Sequence, residues 1–287
     1  PVPRKSFKRK GIIMNPSLKE KILSQLSQME GQVGFYYKNL VTGETLAYHE
    51  NEQFMAASVV KLPLLAAIML WREQGKTRFD EHITVHKEQM HPDSSGVLAF
   101  MTGDEDGSVT LDIKTLCNFM IIISDTTATN ALYHHYGNEL VIATLRELGL
   151  SGTQFNREYY DSEREGQGIQ NYFVPAEIGT LLEKIYNRTL VSVQASEEME
   201  KLLLCQQVNH KMGGSLPVGY PIAHKTGEEE DKTHDVGIVF AREPFVACFA
   251  SCQSDIPEFE NFIRQTTRSL VEDIDPELRV CERMEDC

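Results

Sequence analysis

The chain changes character within Phe54-Met55-Ala56-Ala57-Ser58-Val59-Val60-Lys61-Leu62-Pro63-Leu64-Leu65-Ala66-Ala67-Ile68-Met69-Leu70. Before Ser58 the apolar residues fall in short β-rich runs, and after it they recur at three- and four-residue spacing. Working back, Val33–Tyr37 and Thr45–Tyr48 flank Thr42-Gly43 and read as a hairpin. Ahead of them, Ser17-Leu18-Lys19-Glu20 after Pro16 is a capping-box start for a helix whose apolar face is Leu18, Ile22, Leu23 and Leu26. Working forward, helical patterns cover Ser58–Trp71, Asp112–Ile123, Asp125–Tyr136, Glu139–Leu148 and Pro175–Tyr186. A helical segment near Ser196–Gln206, β-like runs at Ile222–His224, Val236–Phe240 and Phe245–Ser251, and a helix from Pro257 to about Asp273 follow.

Strands at both ends with helices between them predict an α+β fold: an antiparallel five-stranded sheet flanked by the terminal helices, with an inserted all-α domain. The expected divisions are 15–57 plus 198–275 for the sheet-bearing part and 58–197 for the helical part. Residues 1–14 are expected to be a leader or added remnant, and 276–287 an acidic tail. The stretch Ser151–Tyr172, charged and poor in aliphatics, reads as a long loop of the kind that is usually functional or disordered.

The 287 residues carry 28 Lys+Arg against 42 Asp+Glu, a formal net charge of −14, with 41% hydrophobic and 24% charged residues. Such a chain is globular by composition and is repelled by phosphate backbones and anionic lipid, so nucleic acid is not an expected partner. The most apolar run, Val59–Leu70, is interrupted by Lys61 and Pro63 and is shorter than the roughly 20 residues of a membrane span. The basic N-terminus is followed only by Ile12, Ile13 and Met14 before Asn15-Pro16, too little for a signal-peptide core. With Met14 as the start the expected location is cytoplasmic; with a removed leader it is secreted or periplasmic. Six cysteines without a Cys-x-x-Cys pair read as free thiols, Cys281 and Cys287 being the exception to watch. No histidine spacing suits a metal, so neither metal nor cofactor is expected.

Three clusters can carry chemistry. Ser58 and Lys61, three apart at a strand-to-helix junction, share one face, and the Val59, Val60, Leu62, Leu64 and Leu65 surroundings would desolvate Lys61 toward its neutral, basic form. The bland alternative is an N-cap serine and a snorkelling lysine. Ser124-Asp125-Thr126 precedes a helix, where an N-cap is the ordinary explanation. His224-Lys225-Thr226-Gly227 ends a β-like run; a lysine and a hydroxyl there can bind a carboxylate, and the glycine admits a ligand to the backbone.

In that order, on those element types, the set Ser-x-x-Lys, Ser-Asp-Thr, Lys-Thr-Gly resembles the active-site motifs of class A β-lactamases and penicillin-binding proteins. The resemblance covers nearly the whole chain, from the hairpin at Val33–Glu50 through Asn171-Tyr172 and Pro175-Ala176 to Val236-Gly237-Ile238-Val239. It implies a serine hydrolase that forms an acyl-enzyme, with Ser58 as nucleophile, Lys61 as proton acceptor or relay, and Ser124 passing a proton to the leaving group. Lys225 and Thr226 would hold a substrate carboxylate beside Gly227, Thr126 would touch the acyl side chain, and the N–H groups of Ser58 and Glu228 would form the oxyanion hole. The implied partner is a small molecule, a β-lactam or an acyl-D-Ala-like substrate, and the chain is expected to be a monomer.

Three departures bear on which hydrolase this is. Thr126 stands where most class A enzymes have Asn, exchanging an amide for a hydroxyl. Glu228-Glu229-Glu230-Asp231 follows Lys-Thr-Gly, with no arginine nearby; His234-Asp235 lies about where the family often places one. The acidic run reads as a solvated turn, or, if it faces the cleft, as a deterrent to anionic β-lactams. The Glu-x-x-Leu-Asn string that carries the deacylating glutamate of class A enzymes is absent. Counting back from Pro175 puts Glu158 in its place, alignment on Arg157 puts Tyr159 there, and Asp161 is a further candidate. The leading expectation is β-lactamase turnover with Glu158 as base; the alternatives are a D-Ala-D-Ala peptidase or esterase that releases penicillin slowly, and a binding protein that has lost turnover.

Overall fold

The computed structural model describes residues 11–278. In chain order the elements are α1 (Pro16–Gln28), β1 (Gln32–Asn39), β2 (Thr45–Tyr48), β3 (Phe54–Met55), α2 (Lys61–Glu73), β4 (His82–Val85), β5 (Val109–Asp112), α3 (Ile113–Ile122), α4 (Thr126–Tyr136), α5 (Asn138–Glu147), α6 (Ser162–Gly166), β6 (Tyr172–Phe173), α7 (Pro175–Tyr186), α8 (Val193–Leu203), β7 (Ile222–Glu229), β8 (Lys232–Val239), β9 (Phe245–Cys252) and α9 (Ile256–Ile274). The main sheet is antiparallel, in the order β2-β1-β9-β8-β7, so strands from both ends of the chain meet at the β1–β9 seam, as the sequence predicts.

The period-2 pattern of β9 shows how the layers form. Phe245, Ala247 and Phe249 face one core with Phe35, Phe259, Phe262 and Ile263, beneath α1 and α9. Val246, Cys248 and Ala250 face the other, with Ile178, Leu181 and Leu182 of α7. Each buried large side chain contributes about 2–3 kcal/mol of transfer free energy, so the sheet is held from both faces. Within the helical half, α2 is buried on all sides from Lys61 to Met69, as expected of a helix apolar all round.

Two expected divisions are corrected. The boundary at 197/198 falls inside α8, which packs both on α3 and α7 and on β7, so no break occurs there. Of the segment 1–14, residues 12–14 belong to the fold: Ile12 N–H donates to the Glu243 carboxylate at 3.1 and 3.2 Å, Met14 N–H donates to Glu44 at 2.8 Å, and the Met14 side chain is buried. Residues 1–10, Cys281 and Cys287, and nearly all of the tail from 276 lie outside the described residues. Cys117, Cys205, Cys248 and Cys252 are free thiols. No helix among the described residues is long and apolar enough to cross a membrane.

Candidate active site

Ser58 sits in one 3-10 turn, Ala57–Val60, that leads from β3 into α2. Ala57 has φ +39° and Ser124 φ +57°, left-handed backbone at two non-glycine residues, one next to the cavity-lining Ser58 and the other bonded to Lys61. The turn lies against β7 because Gly227 has no side chain: a Cβ there would meet Val59 Cγ2 at 3.2 Å and the Ala56 carbonyl oxygen at 3.3 Å. That closeness brings the backbone around Ser58 and Glu228 together.

Lys61 opens α2 and is fully buried. Its Nζ donates to the Ser124 carbonyl at 2.6 Å, Ser124 Oγ at 3.2 Å and Thr126 Oγ1 at 3.4 Å. None of these bonds goes to Ser58, where the three-residue spacing had suggested a direct partner; the Ser124 carbonyl takes the amine instead. Burial holds the Lys61 pKa well below the usual lysine range, with the Lys225 charge acting in the same direction.

Ser124 is reached from the far side by Lys225, whose Nζ donates to Ser124 Oγ at 3.0 Å and to the Thr226 carbonyl at 2.7 Å. Burial and the Lys211 charge push the Lys225 pKa down to about 7. The sequence reading missed Lys211. This buried cation donates to the carbonyls of Gly227 and His234, each at 3.0 Å, and lies 3.0 Å from the Glu228 carboxylate.

Asp125 caps α4 through Ala128 N–H at 2.8 Å and also accepts from Val97 and Leu98 N–H at 2.7 and 2.8 Å, which folds the 94–98 loop over the site. Gly96, at φ +93°, permits this: a Cβ would fall 2.2 Å from Asp125 Oδ2. The loop supplies Ser95, also missed, whose Oγ donates to the Ser124 carbonyl at 2.7 Å and lies 2.6 Å from Thr126 Oγ1. Thr126 thus reaches the cavity with its hydroxyl already shared between Ser95 and Lys61.

The structure does not bring Glu158 to this cluster. Its carboxylate pairs with His134 Nδ1 at 3.1 Å in a neighbouring cleft of about 300 Å3, where Asp161, the cap of α6, also points. The cause lies one residue earlier. Arg157 donates to the Ile169 carbonyl, Gln170, Glu165 and the Glu158 carbonyl, and the Asn171 side chain bonds both N–H and C=O of Arg157. Asn130 then clamps the backbone N–H and C=O of Tyr159, each at 2.9 Å. With the chain fixed so, Tyr159 turns inward. Its ring centroid is 4.8 Å from Lys61 Nζ, and its hydroxyl donates to the Ala57 carbonyl at 2.6 Å beside Ser58. Burial raises its pKa, with Glu229 adding to the shift, so the phenol stays neutral.

His234 does not supply the missing arginine's charge. Buried on β8, it donates from Nε2 to the Met55 carbonyl at 2.9 Å and accepts from Ser251 N–H at 3.2 Å, and burial lowers its pKa to about 3. Among the described residues, one group of possible metal donors occurs: His210, Glu228 and Glu260, with ligand atoms within 4.8 Å of one another. Since Lys211 already neutralises Glu228 at 3.0 Å, the group behaves as an ion-pair cluster.

A cavity of about 420 Å3 opens over Ser58, Ser95 and Thr126, walled by Tyr159 and Tyr160 and by carboxylates of the β7–β8 turn. The sheet, the inserted helices and this side-chain set at their junction define a hydrolase of the β-lactamase fold. The chain belongs to the Beta-lactamase enzyme family, whose sequence profile matches residues 17–274. It is similar to a β-lactamase from Chitinophaga pinensis DSM 2588, at 20% identity over 89% of this chain and 98% of that one, with TM-score 0.80. It is also similar to a leucine-to-glutamate variant of PBP-A, solved as an acyl-enzyme complex with penicillin G, at 24% identity over 93% of this chain and 100% of that one, with TM-score 0.80. An ancestral class A β-lactamase matches at 25% identity over 89% of this chain and 99% of that one, with TM-score 0.78.

Proposed function

We propose that this protein is a serine hydrolase that acylates Ser58 and, with β-lactams, releases the acyl group slowly, as a penicillin-binding peptidase or esterase does. Neutral Lys61 takes the Ser58 proton as Oγ attacks the carbonyl carbon. The Oγ–C bond forms and the bond to the leaving nitrogen or ester oxygen breaks. The proton passes from Lys61 to Ser124 Oγ, 3.2 Å away, while Ser124 gives its own to the leaving group. Lys225 and Thr226 hold the substrate carboxylate, and the N–H groups of Ser58 and Glu228 stabilise the oxyanion, each donor contributing about 3 kcal/mol.

The observation that carries slow release is Tyr159. The class A enzymes this chain resembles hydrolyse the acyl-enzyme with a loop carboxylate, and the loop residue that packs on Lys61 here is a neutral phenol whose proton is committed to the Ala57 carbonyl. PBP-A, with a leucine-to-glutamate change, forms an acyl-enzyme with penicillin G, and the same covalent chemistry is the expectation here. The test is an intact-mass time course with benzylpenicillin, followed in parallel by loss of β-lactam absorbance. One adduct that persists is the expected result. An adduct that clears as the drug is consumed would establish β-lactamase turnover instead, and no adduct would overturn Ser58 acylation by this class and favour a non-catalytic binding protein.

A further inference from the structure

The cavity over Ser58 has a charge asymmetry that acylation does not use. Five carboxylates line it: Asp93, Glu165, Glu228, Glu229 and Glu230. Three already hold a cation at 3.0 Å, Glu165 with Arg157, Glu228 with Lys211 and Glu229 with Lys232. Asp93 has only the His91 ring nitrogen at 3.8 Å, with its side chain 83% exposed. Glu230, at the tip of the β7–β8 hairpin, makes no hydrogen bond or ion pair among the described residues. The lysines that reach the reaction centre, Lys61 and Lys225, are fully buried beneath it.

An aromatic side chain lines the cavity together with these two carboxylates. Tyr160 stacks on His91, with centroids 3.8 Å apart and planes 4° from parallel, and its hydroxyl donates to the Asp93 carbonyl at 2.5 Å. Its backbone is left-handed at φ +64°, which aims the side chain across the mouth, where it remains 41% exposed. Asp93 is tied to the reacting centre through Ser94 and Ser95, whose hydroxyls bond Thr127 and Thr126 at 2.9 and 2.6 Å. Uncompensated carboxylates beside a fixed, exposed phenol ring form the environment that recognises an ammonium ion by charge and by the ring quadrupole. The net charge of −14 attracts cations to the chain as a whole.

We propose that the site selects acyl donors that carry an ammonium group on the Thr126 side of the reacting carbonyl, bound against Asp93, Tyr160 and Glu230. This rests on the Ser58 reading, and the test separates the two. Aminobenzylpenicillin and benzylpenicillin differ by one ammonium group and share the carboxylate, the strained amide and the aromatic ring. Their second-order acylation rates are compared by intact mass at about pH 6.5, below the ordinary α-amino range. The expected result is about five- to tenfold faster acylation by the amino compound at low ionic strength, a ratio that shrinks in 0.5–1 M salt as screening lengths fall to about 3 Å. In the Asp93→Asn/Glu230→Gln double variant the ratio falls to about one, while acylation by benzylpenicillin persists. Equal rates in the native protein, or a preference that survives the double variant, would overturn the proposal. If neither compound acylates, the Ser58 reading fails, and calorimetric binding of the two penicillins to Ser58→Ala decides alone: tighter binding of the amino compound upholds the inference, and equal binding ends it.

Discussion

The Ser58–Ser124–Lys225 cluster and the 151–172 loop border the same cavity, yet they are specified in different ways. Ser58 lies in the turn that opens α2, Ser124 in the two-residue break before the Asp125 cap of α4, and Lys225 on β7, so each is placed by a helix start or a strand register in its immediate neighbourhood. The loop has no such period. Which of Glu158 and Tyr159 faces Lys61 is set by Arg157 and Asn171, at the two ends of the loop, and by Asn130 on α4. Chemistry placed on regular elements follows from local spacing, whereas chemistry placed on a loop follows from tertiary pins.

The largest expected effect breaks the cluster itself. Ser58→Ala removes the only hydroxyl in the Ala57–Val60 turn, and penicillin labelling should vanish outright in intact mass. Lys61→Met keeps the apolar volume but loses the base, and acylation should slow by about 10²–10⁴-fold, the range of a general base. Labelling at the native rate in Ser58→Ala would mean that another nucleophile is acting, and in Lys61→Met that another base is.

Next in size is a change that would make the loop behave like the enzymes with a loop carboxylate. Tyr159→Glu puts a carboxylate where the ring now lies 4.8 Å from Lys61. The adduct should then clear about 10²-fold faster, the lower end of general-base catalysis. Glu158→Gln, which alters only the His134 cleft, should leave adduct lifetime unchanged. Faster clearing in Tyr159→Phe as well would show that the phenol obstructs water rather than that a base is missing.

A smaller effect tests the pins. Arg157→Met strips the loop of bonds to the Ile169 carbonyl, Gln170 and Glu165, which are partly exposed acceptors, at a cost of about 1–2 kcal/mol. Hydrogen exchange should rise across 151–172 while the amides of α2, rooted in the core, stay protected. Uniform loss of protection would show that loop and cluster fold as one unit.

The same contrast explains how much was legible beforehand. The sheet strands and most helices follow from periods of 2 and 3.6, and Ser58, Lys61, Ser124 and Lys225 from motifs tied to those elements. Two-residue strands such as β3 and β6 are too short to show a period. Ser95 and Lys211 reach the site through long-range contacts alone, with the Gly96–Asp125 approach and the Gly227 and His234 carbonyls as their anchors. The acidic run illustrates both halves: Glu230-Asp231 is the turn its composition suggests, and the carboxylates beside it line the cavity because β7 carries them there.

The mildest test is a pH profile of the cluster. With a pKa near 7 instead of 10.5, Lys225 is charged below pH 7 and neutral above it. Affinity for a carboxylate-bearing ligand should therefore be greatest below pH 7 and fall by at most about tenfold per unit above it. Lys61 is shifted in the same direction, but its neutral form is the active one, so the saturated acylation rate should rise with pH while KM for the anionic substrate also rises. The linkage to folding carries its own sign. The unfolded chain holds the Lys225 proton up to about 10.5 and the folded one releases it near 7, so this group costs stability below pH 7, and the cost is relieved as pH climbs between the two values. Lys225→Arg, charged throughout, should flatten the KM profile and leave the acylation limb rising. A neutral ester without a carboxylate should show the acylation limb alone; if its KM climbs above pH 7 as steeply as that of an anionic substrate, Lys225 is not the carboxylate's partner.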